Sequence, residues 1–276
     1  MFIVCKKKRN QVVHLYPKKS SGRARNVTLE IYPAVGATTA AIVCPGGSYC
    51  WLAYRSEGVD VAKFLQKNGI SAFVLRYRVA SWWAWFSHYR LLIRGNQAPD
   101  MYNDAQSALR WVKNNSHKYG IDSNKIGIIG FSAGGHLAMS QVLFPDGIFP
   151  SFIASIYPVV TLTNECTHKR SRRGLLGDRM ANNPDAQSRW SVEQHIPQNC
   201  PPVFLVNCVD DHTVDYHNSI LLDSALTAAG INHKYIQYAT GGHGFGVSDD
   251  KGSPESRQWK YQFIDWLHTL EIHNNC

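Results

Sequence analysis

The sequence has little acidic charge and no long apolar run, and each shortage argues against a class of protein. Only 20 of the 276 residues are Asp or Glu, against 29 Lys and Arg, which gives a formal net charge of +9. No stretch approaches the ~18 consecutive apolar residues that a membrane-spanning helix requires, so no membrane association is expected. Basic residues cluster near the N-terminus and at residues 169–179. Because no nucleic-acid-binding motif accompanies them, we interpret them as solvated surface and expect no nucleic-acid partner.

Closely spaced cysteine pairs are also absent. The seven cysteines are scattered and no Cys-x-x-Cys occurs. This favours a reducing compartment over a disulfide framework, with a single disulfide between Cys44 and Cys50 as the alternative.

The first five residues are mostly apolar and four basic residues follow, which reverses the order of a secretory signal. The sequence therefore predicts a cytoplasmic protein, while a signal cleaved from a longer precursor would leave the same chain.

Two kinds of apolar segment alternate along the chain. Short apolar runs predict strands, and apolar residues at helical spacing predict helices. The predicted strands cover residues 27–32, 39–44, 70–77, 125–129, 153–157, 203–208 and 233–238, and the predicted helices cover 58–68, 99–115, 137–143, 217–229 and 254–270. This alternation is typical of an α/β fold with a mostly parallel sheet and helices on both faces.

No internal repeat or linker interrupts the pattern, so a single domain over residues 1–276 is predicted. Three segments depart from the alternation of strands and helices. They are a basic N-terminal segment at residues 1–25, an aromatic insertion at residues 80–98, and an irregular, cap-like segment with only short helical pieces at residues 161–200.

A Gly-x-Ser-x-Gly motif at residues 130–134 stands between a predicted strand and a predicted helix. In that context it indicates a nucleophile elbow, a turn so tight that its serine takes strained backbone angles and presents its hydroxyl above the sheet. The competing interpretation is an ordinary glycine-rich turn of an α/β protein. Ser132 is therefore a candidate nucleophile, and this interpretation requires a base, an acid and an oxyanion hole elsewhere in the chain.

Candidates for the base and the acid follow the last two predicted strands. A serine hydroxyl is a weak nucleophile and needs a histidine to take its proton and a carboxylate to orient that histidine. His243 lies in a glycine-rich loop after the last strand, and Asp210 and Asp211 follow the strand before it. The chain order Ser, Asp, His is that of α/β-hydrolases, which also place their chemistry at the carboxyl ends of the strands.

An oxyanion hole requires backbone N–H groups from an early strand-to-loop turn and from the residue after the nucleophile. The loop at residues 45–49 follows a buried predicted strand and supplies the first group, and Ala133 supplies the second. An ordinary Pro-Gly turn is the other interpretation of residues 45–49.

With these residues in place, the chain resembles α/β-hydrolases of the esterase/lipase group, and among them the small bacterial acetylxylan and feruloyl esterase-like proteins. The segments that carry the resemblance lie at residues 44–49, 75–78, 130–138, 157–159 and 241–245. It implies that Gly47 and Ser48 are oxyanion donors, although relatives often have His-Gly-Gly-Gly where this chain has Pro-Gly-Gly-Ser. It also favours Asp211 over Asp210, because the acid of the family stands three residues before a Val.

The resemblance implies ester hydrolysis through an acyl-enzyme, with no metal and no organic cofactor. The implied substrates are acetyl or feruloyl esters of plant carbohydrates such as xylan, either small molecules or oligosaccharides. Three alternatives stay open: a carboxylesterase or lipase of other specificity, a prolyl-oligopeptidase-like serine peptidase, and a binding protein with an inactive hydrolase fold. The peptidases normally carry a large extra domain that this chain lacks, and the intact Ser, Asp and His argue against an inactive fold.

Aromatic residues beside the predicted site are candidates for its wall. Trp82 and Trp83 lie in the aromatic insertion, and Tyr49 and Trp51 lie beside the oxyanion loop. Aromatic side chains at such places bind acyl groups or stack on sugar rings. The insertion has three other interpretations: a loop packed on the core, a buried amphipathic helix, and a contact surface between two copies in a homodimer.

Overall fold

Eight strands form one sheet in the computed structural model, which describes residues 11–17, 22–80, 95–144 and 146–273. The strands are β1 Gln11–His14, β2 Thr28–Tyr32, β3 Ala40–Cys44, β4 Ser71–Arg76, β5 Ile126–Phe131, β6 Ile153–Ile156, β7 Val203–Cys208 and β8 His233–Tyr238. Their order across the sheet is β1-β2-β4-β3-β5-β6-β7-β8. Strand β2 is antiparallel to both neighbours, and every other pair is parallel. The predicted α/β-hydrolase fold with a mostly parallel sheet is confirmed.

Helices cover both faces of this sheet. They are α1 Asp60–Lys67, α2 Asp100–Asn114, α3 Ala133–Ser140, α4 Lys169–Met180, α5 Pro184–Trp190, α6 His217–Ala228 and α7 Trp259–His273. Successive strand residues point to opposite faces, so Ile42 joins an apolar cluster with residues of α2, α3, α4 and α6, while Val43 joins a second cluster with residues of α1 and α7. The buried β5 strand lies between the two clusters, and its carboxyl end is therefore held on both sides.

The structure differs from the sequence prediction in one segment and defines the short helices of another. Strand β1 lies within the basic segment 1–25, where no strand is predicted, because four residues give too little periodicity to detect. Helices α4 and α5 lie within residues 161–200, where the sequence predicts an irregular segment with only short helical pieces. The sequence of α4 contains two glycines, and Gly177 interrupts the helix at φ 72° and ψ 170°, which explains why the helical pattern is weak.

Several predictions about the whole chain concern residues outside the described ranges. Trp82 and Trp83 fall in residues 81–94, so the aromatic insertion is described only at its two ends. In the described part of the chain Cys44 and Cys50 are both free, so the bridge between them does not form. None of the helices described here combines the length and the apolar composition needed to cross a lipid bilayer. The single domain over residues 1–276 stays a prediction.

Candidate active site

Ser132 stands in a strained turn between β5 and α3. Its backbone angles are φ 53° and ψ −121°. L-residues rarely adopt this conformation, and such backbone strain is found mainly at functional sites. The flanking glycines make the turn possible: a Cβ at position 130 would overlap the carbonyl of Gly134, and a Cβ at position 134 would overlap the carbonyl of Cys44. The structure therefore contains the elbow geometry that the motif predicts, and Ser132 is only 5% exposed.

His243 and Asp211 complete a hydrogen-bonded chain with this serine. The Nε2 atom of His243 lies 2.9 Å from Ser132 Oγ, and its Nδ1 atom lies 2.6 Å from Asp211 Oδ2. The other oxygen of Asp211 accepts hydrogen bonds from the N–H groups of Thr213 and Val214 at 2.8 and 2.9 Å. With Asp211 as acceptor, Nδ1 of His243 carries the proton, and Nε2 is free to accept one from the serine hydroxyl.

The two adjacent aspartates have separate positions. Asp210 accepts hydrogen bonds from the backbone N–H groups of Gly242 and Gly241 at 2.8 and 3.1 Å. The bond from Gly242 is the main reason that the pKa of Asp210 lies below its ordinary value. Asp210 therefore holds the loop that carries His243, whereas Asp211 faces the imidazole itself.

The loop after β3 carries three consecutive residues with positive φ. They are Gly47, Ser48 and Tyr49, at φ 130°, 55° and 59°. Only glycine fits at position 47, because a Cβ there would overlap the carbonyl of Trp51. Within the described residues, the N–H groups of Gly47, Ser48 and Ala133 donate no hydrogen bond. All three are therefore available to an oxyanion.

This loop is packed directly against the elbow and against the cap-like segment. A Cβ at Gly46 would lie 2.9 Å from Ser132 Cβ. From the other side, Gly174 of α4 approaches so closely that a Cβ there would overlap the carbonyl of Ser48. The oxyanion loop is thus clamped between β5 and a helix of the cap-like segment.

The candidate substrate-binding residues separate into different environments. Trp51 is 40% exposed beside the oxyanion loop, as a wall residue would be. Tyr49 is only 1% exposed, and its hydroxyl lies 2.7 Å from Nδ1 of His136. The place of Tyr49 in the wall stays a prediction, and its burial leaves it little surface for contact with a substrate.

His136 is a buried residue that none of the sequence predictions includes. Its Nε2 donates to the carbonyl of Trp190 at 2.7 Å, and its Nδ1 accepts from the Tyr49 hydroxyl. Burial lowers the pKa of His136 to about 4, so the ring is neutral at neutral pH. Its contact with Tyr49 ties the oxyanion loop to helix α3. In the sequence, the only feature that singles out His136 is its position in the Gly134-Gly135-His136 segment directly after the elbow.

The chain is similar in sequence to a family model and to known enzymes. The BD-FAE family model matches residues 56–146. An acetylxylan esterase of Xylanibacter ruminicola is 30% identical over 86% of this chain and 44% of its own length. Endo-1,4-beta-xylanase B of Butyrivibrio fibrisolvens is 31% identical over 76% of this chain and 33% of its own length. The chain thus spans less than half the length of these two relatives.

A solved structure matches over nearly the whole chain. The acetyl ester-xyloside bifunctional hydrolase from Caldicellulosiruptor lactoaceticus superposes with a TM-score of 0.82 at 29% identity, covering 95% of this chain and 97% of that one. Together with the elbow and the sheet order, these similarities show that the chain is an α/β-hydrolase that resembles the acetylxylan esterases.

Proposed function

We propose that the chain is a serine carboxylic ester hydrolase in which Ser132 is the nucleophile, His243 the base and Asp211 the acid. The observation that carries the proposal is the hydrogen-bonded chain from Ser132 Oγ through His243 to Asp211, with the serine in a strained turn. Such a chain activates a hydroxyl for attack on an acyl carbon. The comparison with acetylxylan esterases supports the same reaction.

The reaction proceeds in two steps. Nε2 of His243 takes the hydroxyl proton of Ser132 as Oγ bonds to the acyl carbon, and the N–H groups of Gly47, Ser48 and Ala133 stabilise the oxyanion. His243 then returns this proton to the leaving alcohol oxygen as the ester C–O bond breaks. Water attacks the acyl-enzyme with His243 as base, which releases the carboxylic acid and restores Ser132. Every proton transfer uses the same imidazole, and neither step requires a cofactor.

The proposed substrates are acetyl esters of xylan-type carbohydrates, with feruloyl esters as the second class. The similarity to an acetylxylan esterase and to an acetyl ester-xyloside hydrolase, together with the exposed indole of Trp51 beside the oxyanion loop, supports a sugar-bearing substrate. We also propose a reducing, cytoplasmic location. The five cysteines in the described part of the chain are free, which fits such a compartment.

A substrate panel tests the reaction class. Wild type and Ser132→Ala are compared on p-nitrophenyl acetate, acetylated xylan, methyl ferulate and an aminoacyl anilide. Wild type is expected to release acetate from the first two, and the Ser132→Ala variant is expected to lose at least about 1,000-fold in kcat. Preferential cleavage of the anilide would instead indicate a peptidase, and equal activity of the two proteins would contradict a serine mechanism.

Trp51 has a separate test on the sugar part of the substrate. Stacking of a ring on an exposed indole contributes about 1 kcal/mol, so Trp51→Ala is expected to raise KM for acetylated xylo-oligosaccharides roughly fivefold. The KM for p-nitrophenyl acetate, which has no sugar ring, should change by less than about twofold. Trp51→Tyr is the matched control that keeps an aromatic face and should restore most of the lost affinity. Equal effects of Trp51→Ala on both substrates would exclude a role in sugar binding.

A further inference from the structure

A buried carboxylate outside the Ser-His-Asp chain lies next to the oxyanion loop. Glu57 belongs to a π-helical turn, Arg55–Val59, and is only 4% exposed. Its Oε2 atom accepts the N–H of Gly46 at 2.8 Å, and its Oε1 atom accepts the hydroxyl of Tyr157 at 2.9 Å. Burying a carboxyl group is costly unless it is well hydrogen-bonded, and π-helical turns occur frequently at functional sites.

Tyr157 connects this carboxylate to the loop that carries His243. Its hydroxyl donates to Glu57 and accepts the N–H of Gly246 at 3.0 Å. Its ring packs against the imidazole of His243, with the ring centroids 4.7 Å apart. Tyr157 also has a positive φ of 39° directly after β6, which indicates that its position is imposed by these surroundings.

The π-helical turn that carries Glu57 also lies against the oxyanion loop and the His243 loop, at a glycine of each loop. Gly46 is enclosed between Glu57 and Ser132: a Cβ there would lie 2.7 Å from Glu57 Oε2 and 2.9 Å from Ser132 Cβ. A Cβ at Gly246 would lie 2.8 Å from the carbonyl oxygen of Ser56. Residues 46 and 246 therefore have little freedom to move independently of the turn.

We propose that Glu57 is a positioning residue that fixes the oxyanion loop and the His243 loop relative to each other, through Gly46 on one side and Tyr157 on the other. The inference rests on the proposed ester hydrolysis. Its physical basis is that the oxyanion donors and the base act on the same transition state, so a displacement of either loop lowers kcat. Neither Glu57 nor Tyr157 contacts the acyl group in this proposal.

Two near-isosteric variants and one matched control test the network. Glu57→Gln places an amide NH₂ opposite one of the two donors that the carboxylate accepts, and Tyr157→Phe removes the hydroxyl while keeping the ring against His243. Tyr32→Phe is the control, because it removes another buried tyrosine hydroxyl bonded to a carboxylate, that of Glu30 at 2.7 Å, on strand β2.

We expect kcat on p-nitrophenyl acetate to fall roughly 10- to 100-fold in each network variant, with KM within about threefold of wild type. The double variant should lose no more than the worse single variant, because both changes break one network. The Tyr32→Phe control should keep kcat within about twofold. Melting temperatures and active-site titration with a fluorophosphonate correct every rate for the folded, competent fraction.

Unchanged kcat per titrated serine in both variants would overturn the proposal, and so would a loss equal to that of Tyr32→Phe. If Glu57→Gln does not fold, the Tyr157→Phe variant decides the result by the same criteria. Failure of the proposed function gives a different result, namely no ester cleavage by wild type. In that case the rate of fluorophosphonate labelling at Ser132 replaces kcat as the quantity that the variants must lower.

Discussion

Asp211→Asn is the substitution whose outcome the hydrogen bonds around His243 determine most directly. Asp211 uses Oδ1 for two backbone donors, the N–H groups of Thr213 and Val214, and Oδ2 for His243. An asparagine has one carbonyl oxygen, and the two backbone donors will hold it at the Oδ1 position. Its NH₂ group then faces Nδ1 of His243, which must become an acceptor.

The size of the expected loss of activity follows from the change of the His243 tautomer. With Nδ1 as acceptor, Nε2 of His243 carries the proton and cannot take one from Ser132, 2.9 Å away. The loss of the base and of the carboxylate charge together is expected to lower kcat/KM about 10,000-fold, equivalent to about 5.5 kcal/mol of transition-state stabilisation. The fold should persist, because Asn keeps the shape of the side chain and the bonds to Thr213 and Val214.

The assay is kcat/KM on p-nitrophenyl acetate, with Asp210→Asn as the matched control. Asp210 accepts the N–H groups of Gly241 and Gly242, one on each oxygen, so the amide loses one bond to the loop and activity should fall less than about tenfold. Melting temperatures establish that both variants are folded. The reasoning is refuted if Asp211→Asn keeps more than about a tenth of wild-type kcat/KM, or if Asp210→Asn loses as much.

Three further predictions concern stability. Gly134→Ala should lower the free energy of unfolding by more than about 3 kcal/mol in denaturant titration, because the new Cβ would overlap the carbonyl of Cys44; an undiminished value would contradict the packing of the elbow. Ser48→Gly should raise that free energy by about 0.5–1 kcal/mol, because a residue with φ 55° is strained, and a decrease would show that the serine side chain stabilises the loop. His136, whose pKa burial lowers to about 4, stays neutral while the unfolded histidine binds a proton below pH 6.5. Stability should therefore fall by up to about 3 kcal/mol between pH 6.5 and pH 4, and His136→Gln should flatten this dependence in thermal melts; an unchanged slope would contradict it.

The main features of the fold and the elbow could be predicted from the sequence because they depend on local patterns. Continuous apolar runs and glycine stops mark buried strands and helix ends, and the glycines around Ser132 are required by a turn of few residues. The neighbouring aspartates show where such reasoning ends. Spacing does not separate Asp210 from Asp211; the family resemblance favours Asp211, and the structure directs that side chain to His243.

The environments of other residues depend on contacts between distant parts of the chain, which no local sequence pattern indicates. Tyr49 stands beside the oxyanion loop in sequence, but it is buried and its hydroxyl lies 2.7 Å from Nδ1 of His136. Glu57 looks like a solvated acidic residue before a helix, but it is buried and accepts hydrogen bonds from Gly46 and from Tyr157, which lies far along the chain. Such burial arises from the meeting of distant loops.

The contact between Gly174 and the carbonyl of Ser48 has a consequence for how such enzymes diversify. A cap segment that merely covered a finished site could be exchanged between homologues as an independent module. Here a helix of residues 161–200 forms one side of the oxyanion loop, so a transplanted segment must also bring a glycine at the point of contact. Insertions that lengthen or tilt this helix would change turnover together with substrate preference, which restricts the evolutionary and engineering routes by which specificity can change here.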